Sequence, residues 1–374
     1  MKRIMIIAGE ASGDMHGAEV VQELKSIKKD LEIFGVGGDK MQNAGTELIE
    51  HIRSISFIGF FEVLFHLPKF FALKDKIKEL LISKRPDLVL LIDYPGFNLK
   101  IAKEAYNLKI PVAYYISPQI WAWKQKRVYT IKKFVSKMFV VLHFEEDLFI
   151  QNQIPVEFVG HPLLDLFPKD FNKDEFFKKN NLSKLKKIIT LLPGSRNQEI
   201  NKIFPIMVET LQSFLKQHDV QIIVAVAPTI NIDHLSEIAK SLKDIKFIEN
   251  DSHSAIQAAD VIIATSGTAT LEAAYFSKPM IVLYHLKFLT YWLAKIIVKI
   301  KLISLVNIIL KREVVKELIQ NEVKPKIILA ELNKIMDDVN YRQKMIVELN
   351  KIKTLLGEPG AAKKVASSIL EIIK

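Results

Sequence analysis

Ala259-Asp260-Val261-Ile262-Ile263-Ala264, followed closely by Ser266-Gly267-Thr268-Ala269-Thr270-Leu271-Glu272, reads as a buried strand feeding a helix through a turn of small residues. At such a junction the free N–H groups of the first helical turn and the helix dipole favour an anion. Gly267 would let a ligand approach the backbone, and Thr268 and Thr270 would add hydroxyl donors. Glu272, about one turn further on, only accepts hydrogen bonds and suits a diol such as ribose. The same residues also fit an ordinary capped helix, with Ser266 or Thr268 as N-cap and Glu272 as an exposed carboxylate.

This strand-turn-helix unit recurs outward along the chain. In the first half, strands are expected at 3–7, 32–36, 87–92, 111–116, 137–141 and 156–159, and in the second at 187–192, 220–225, 245–248, 260–264 and 279–283. Strands alternating with helical stretches predict an α/β chain with mostly parallel sheets covered on both faces. At 374 residues the chain exceeds one core of typical size, so two doubly wound, Rossmann-like domains are expected. The segment 165–186, rich in lysine, asparagine and aspartate, reads as the linker between them. Doubly wound domains bind ligands beyond the carboxyl ends of their strands, which predicts a cleft bordered by those loops.

Composition narrows the classes. Hydrophobic residues at 49% and charged residues at 25% describe a globular protein, and the absence of cysteine removes disulfides and thiolate chemistry. The short apolar run after Met1 ends at Glu10 and reads as a first strand, not a signal peptide. No uncharged apolar run is long enough to span a bilayer, which makes the cytoplasm the expected compartment. A net charge of +11 points to anionic partners: phosphorylated substrates or a membrane surface, with nucleic acid fitting least because no binding motif or basic arm is present.

The chemistry-bearing residues stand at strand ends. After the first strand, Glu10, Ser12 and His16 are placed to line a cleft, while Asp14 serves either there or as a helix cap. Asp93 follows a wholly apolar strand and precedes Pro95-Gly96; it reads as a general base held by a rigid turn, or as a turn residue. Ser117-Pro118-Gln119-Ile120-Trp121-Ala122-Trp123 puts two tryptophans in one loop, where they would stack on sugar, pack acyl chains or form a local core. Gly194, Ser195 and Arg196 make a second phosphate-friendly junction, with a guanidinium suited to bidentate binding. The segment 57–71, with Phe57, Phe60, Phe61 and Phe65, and the basic amphipathic segment 288–301, with Trp292, fit lipid contact, an acyl groove or buried helices.

Together, AGEASGD at 8–14, IDYPGFN at 92–98, SPQIWAW at 117–123, GHP at 160–162, LLPGSR at 191–196 and SGTATLE at 266–272 resemble the lipid-A-disaccharide synthase family along almost the whole chain. Ser304-Leu305-Val306-Asn307 resembles its nucleotide-side segment, with Val306 where the family pattern has proline. The resemblance implies the two-domain GT-B architecture: 1–165 plus the final helix 360–374 on the acceptor side, and 166–359 for the UDP-sugar. It implies an inverting transfer of 2,3-diacylglucosamine from its UDP form to 2,3-diacylglucosamine 1-phosphate, giving a β-1,6-linked disaccharide and UDP. Asp93 matches the general base and Arg196 an arginine needed for activity, with Glu272 on the ribose and Asn307 at the substrate. No cofactor or metal is implied. A peripheral place on the cytoplasmic face of the inner membrane and a homodimer, with or without exchanged C-terminal domains, are further expectations. The rivals are another UDP-sugar transferase or epimerase of this architecture, and a non-catalytic lipid-binding protein.

Overall fold

The computed structural model describes residues 1–54, 67–167, 170–285 and 302–374, which divide into one unit of Met1–Leu166 with Leu356–Lys374 and another of Phe167–Leu355. The expected lipid contacts Phe57, Phe60, Phe61, Phe65 and Trp292 lie outside the described residues.

Among the described residues the first unit holds seven parallel strands: β1 (Lys2–Ala8), β2 (Leu31–Gly37), β3 (Glu47–His51), β4 (Leu88–Ile92), β5 (Val112–Tyr115), β6 (Lys137–Val140) and β7 (Val156–Phe158). Their spatial order is β3-β2-β1-β4-β5-β6-β7. The central strands β1 and β4 are apolar on both faces because helices cover both; Ile4 to Ala8 and Leu88 to Ile92 are fully buried. Burying each such side chain stabilises by about 2 kcal/mol. The helix Ala11–Ile27 turns Gly13, Gly17, Val20, Val21 and Leu24 inward at helical spacing. Against it packs the last helix, Ala361–Ile372, through a face that includes Ala362, Val365, Ala366 and Ile369. Two hydrogen bonds secure that return: His161 N donates to Leu356 O (2.8 Å), and Gly360 N donates to the Asp165 side-chain Oδ1 (2.6 Å).

Among the described residues the second unit holds six parallel strands: β8 (Lys187–Leu192), β9 (Val220–Val226), β10 (Ile245–Glu249), β11 (Val261–Thr265), β12 (Met280–Tyr284) and β13 (Lys316–Ile319), ordered β10-β9-β8-β11-β12-β13. Both sheets are doubly wound, so each has a point where strand order reverses. In the first it lies between β1 and β4, in the second between β8 and β11. Loops leaving the two strands at a reversal diverge to opposite faces and open a crevice at the carboxyl edge.

Three sequence expectations change. β3 and β13 were absent from the expected strands: among the described residues each is an edge with a single partner, and Glu47, Glu50 and His51 in one and Lys316 and Glu317 in the other leave no apolar run. The expected linker contains a helix, Lys173–Lys179, capped by Asn172 and buried through Phe176 and Phe177. Pro95-Gly96 is not a turn but the first turn of the helix Pro95–Asn107, where proline's fixed φ and missing N–H are tolerated.

Candidate active site

In the first unit the reversal point brings together the loops after β1 and β4. Ala8 pairs with Ile92, so Glu10 and Asp93 leave the sheet at the same edge. Asp93 and Tyr94 both adopt left-handed backbone, φ +45° and +49°. Aspartate tolerates that region; for a bulky tyrosine it costs on the order of 1 kcal/mol or more. The surroundings over-determine the strained turn. Asp93 N donates to Tyr115 O (3.0 Å), and Asp93 O accepts from Tyr114 Oη (2.5 Å) and Asn98 Nδ2 (2.7 Å), which also reaches Ile92 O (3.1 Å). Gly9 leaves room for the Tyr94 ring, since a Cβ there would sit 2.3 Å from it. Backbone strain of this kind collects at functional sites, and here the bonds fix the main chain from which the Asp93 side chain leaves the sheet. Burial raises that carboxyl to about 6; the nearby Glu10 charge pushes the same way, while the Tyr94 N–H and His16 oppose it.

Glu10 and Ser12 are exposed at the same edge. His16 stacks edge-on against Tyr115 and pairs with Glu19 through Nδ1 (3.2 Å). His161 is held well below the ordinary imidazole range, to about 4, by burial and then by the neighbouring His16; its Nδ1 accepts from Leu163 N (3.2 Å). Beside Tyr94 opens an apolar cavity of about 270 Å³, lined by Phe70, Phe71 and Phe97 with Lys74 and Lys100 at its rim.

In the second unit the loops after β8 and β11 meet at its own reversal point, and Thr265 Oγ1 ties them by donating to Pro193 O (2.9 Å). Gly194 takes φ +115°, a conformation that glycine adopts without penalty. Ser195 and Arg196 are exposed, and Arg196 is the N-cap of the helix Asn197–Phe214. Its guanidinium rests on Glu199 (3.2 Å), an exposed pair worth little and easily exchanged for an anion. Opposite, Gly267 is the N-cap of the helix Thr268–Tyr275; neither Ser266 nor Thr268 caps it by side chain. Gly267 is extended at φ 170°, and the space a Cβ would fill is open; in the turn that follows, Thr270 N–H donates to Gly267 O (3.1 Å). Glu272 lies 3.2 Å from His253 Nδ1 and holds that imidazole above its ordinary value, against burial. A cavity of about 680 Å³ lined by residues from Asn181 to Lys246 opens at the amino-terminal edge of the sheet, away from these loops.

Four residues expected at the substrate have their polar side-chain atoms bonded within the scaffold. Asp14 is 5% exposed and accepts from the N–H groups of Gly38 (2.6 Å), Lys40 (3.1 Å) and Met41 (3.0 Å), so its charge caps the next helix, Asp39–Asn43. Buried Asn307 accepts from Val314 and Val315 N–H and donates to Val315 O and Glu317, folding the 303–317 segment. The Ser117 and Thr270 hydroxyls, also buried, donate to Pro118 O and Gly267 O. Sequence reasoning missed Tyr114 as a support for Asp93 and quoted Asn98 without giving it that role. For Asn98 the fixed place after Asp93 was a usable signal; for Tyr114, inside an apolar strand, there was none.

With both crevices in place, the chain's likeness to known proteins is decisive. The model of the lipid-A-disaccharide synthetase family matches residues 4–372. The chain belongs to this family. A lipid-A-disaccharide synthase of Coxiella burnetii (strain CbuG_Q212) is 38% identical over 100% of this chain and 99% of its own. The fold is shared with the glycosyltransferase of kitacinnamycin, at TM-score 0.66 and 12% identity over 100% and 99% of the two chains. The UDP-GlcNAc 2-epimerase of Neisseria meningitidis, solved with UDP-GlcNAc, matches at TM-score 0.63 and 14% identity over 99% and 100%. Membership in the lipid-A-disaccharide synthase family makes the chain a glycosyltransferase and separates it from the epimerases, whose likeness is one of fold.

Proposed function

We propose that this enzyme joins UDP-2,3-diacylglucosamine to 2,3-diacylglucosamine 1-phosphate through a β-1,6 link with inversion, releasing UDP. An inverting displacement needs a base on the attacking primary hydroxyl and charge neutralisation on the leaving diphosphate. Asp93 is the base. Its carboxyl, raised to about 6, is ionised at neutral pH yet a better proton acceptor than an ordinary aspartate, and its turn is held rigid. Arg196, with Ser195 and the N–H groups of the turn after Gly267, grips the diphosphate without a metal, and Glu272 takes the ribose. Glu10 and Ser12 bind sugar hydroxyls of the acceptor. The cavity beside Tyr94 receives an acyl chain, with Lys74 and Lys100 at its mouth.

Association with the cytoplasmic face of the inner membrane follows from acylated substrates and the +11 charge; among the described residues no helix is long and apolar enough to cross a membrane. A homodimer is compatible with family membership. The observation that carries this reading is the strained, buttressed turn at Asp93. Chromatographic detection of the disaccharide 1-phosphate from the two acylated glucosamine substrates tests it, and absence of product from both in detergent would overturn it.

A further inference from the structure

The loop 117–123 follows β5 through Ile116, a β-branched residue at φ +63°, and ends at Lys124, at φ +51°. Left-handed backbone at an isoleucine is costly and persists only where neighbours enforce it. One enforcing contact is specific. Trp121 Nε1 donates to Glu145 Oε1 (3.1 Å), joining the loop after β5 to the first turn of the helix His143–Gln151 after the adjacent strand β6. Phe144 meets the Trp121 ring edge-on at 5.3 Å, and Ile120 and Ala122 are buried on either side.

Glu145 is an unusual residue to find here. It is 2% exposed, and its Oε2 has no hydrogen-bond partner among the described residues. Burial raises its carboxyl to about 8, against the pull of the Trp121 indole and of the Leu142 and Val141 backbone, with the Asp93 charge raising it slightly further. Burial thus favours the neutral carboxyl, which accepts the indole N–H without the larger cost of a buried charge. A helix start needs no such group, since an exposed glutamate at the same position would serve the dipole equally well.

We infer that Glu145 is a positioning residue: through the Trp121 indole it latches the 117–123 loop to the carboxyl edge of the first sheet, beside Asp93, and so shapes the acceptor's binding surface. The loop's exit displays Trp123 with Lys124 (4.6 Å) and Arg127 (5.1 Å) over its ring, so the latch fixes a cationic aromatic lip as well. This rests on the acceptor-side reading of Asp93, but the latch can be tested without the reaction.

The test uses the full chain and the variants Glu145→Gln, Glu145→Ala and Trp121→Phe. Glutamine keeps a carbonyl oxygen for the indole, so its tryptophan emission matches wild type, whereas alanine shifts emission to the red. In the Trp121→Phe background the alanine change has no spectral effect. In the transfer assay, Glu145→Ala and Trp121→Phe each raise the acceptor KM about tenfold with UDP affinity unchanged, Glu145→Gln stays within about twofold, and the double variant is no worse than either single one. An unchanged acceptor KM in Trp121→Phe, a Glu145→Gln variant as impaired as alanine, or additive losses would overturn the latch. If Glu145→Ala does not fold, Trp121→Phe and Glu145→Gln decide. Identical emission from wild type and Glu145→Ala also overturns it, whereas absence of transfer by wild type with the emission shift intact refutes only the proposed reaction.

Discussion

Replacing Glu10 by glutamine should move the acid limb of the rate profile to lower pH. Asp93 is raised from 3.8 to about 6, chiefly by burial and secondly by the Glu10 charge. A base must be ionised, so kcat/KM is on its plateau above pH 6 and falls tenfold per pH unit below. At pH 5 about one-tenth of the plateau remains. Like-charge repulsion across a partly solvated site is on the order of 1 kcal/mol, or about 0.7 pH unit. Without it, roughly one-third of the plateau survives at pH 5, a three- to fourfold gain relative to wild type when each profile is scaled to its own plateau. Loss of sugar contacts at Glu10 lowers the plateau but not the position of the limb, so the two effects separate. The assay is kcat/KM for the acceptor between pH 5 and 9. A limb that stays in place, or moves to higher pH, would refute the assignment of that limb to Asp93 and of its shift to Glu10.

Other consequences are as direct. A raised folded-state carboxyl contributes stability fully present below its unfolded value of 3.8 and lost as pH rises through about 6. Asp93→Asn should therefore be about 2 kcal/mol more stable than wild type at pH 7, after allowing for partial solvation, and no different near pH 3.5, by denaturant titration. His161 has the opposite sign. Its depressed value makes a contribution that is complete above pH 6.5 and lost as pH falls through about 4, so wild type should lose about 2 kcal/mol over that window relative to His161→Gln. Asp14→Ala, which strands three backbone N–H groups, should cost about 3 kcal/mol in urea unfolding while leaving the UDP-sugar KM unchanged. Arg196→Ala should weaken UDP binding roughly tenfold or more by calorimetry, the loss expected for a charge-assisted contact.

Much of the architecture was legible because buried parallel strands leave unbroken apolar runs, as in Leu88 to Ile92 and Val261 to Ala264. Edge strands such as Lys316–Ile319, in which two of four residues are charged, leave no such mark. Within the candidate site the junctions could be read, but the direction of individual side chains could not. Asp14, Asn307 and Thr270 stand inside informative motifs, and a sequence does not say whether a polar atom faces a ligand or a backbone amide. That choice depends on segments distant in the chain, such as Gly38 for Asp14. The strain at Asp93 and Tyr94 is invisible for the same reason: neither residue type requires a left-handed conformation, and only the bonds from Tyr114 and Asn98 reveal that the turn is held there.

Turnover by Asp93→Asn, followed as disaccharide 1-phosphate formed at saturating acceptor alongside calorimetric UDP binding, addresses the proposed base most directly. The account predicts UDP affinity equal to wild type with turnover reduced at least a hundredfold, the contribution of a positioned base. Near-normal turnover in that variant would contradict it.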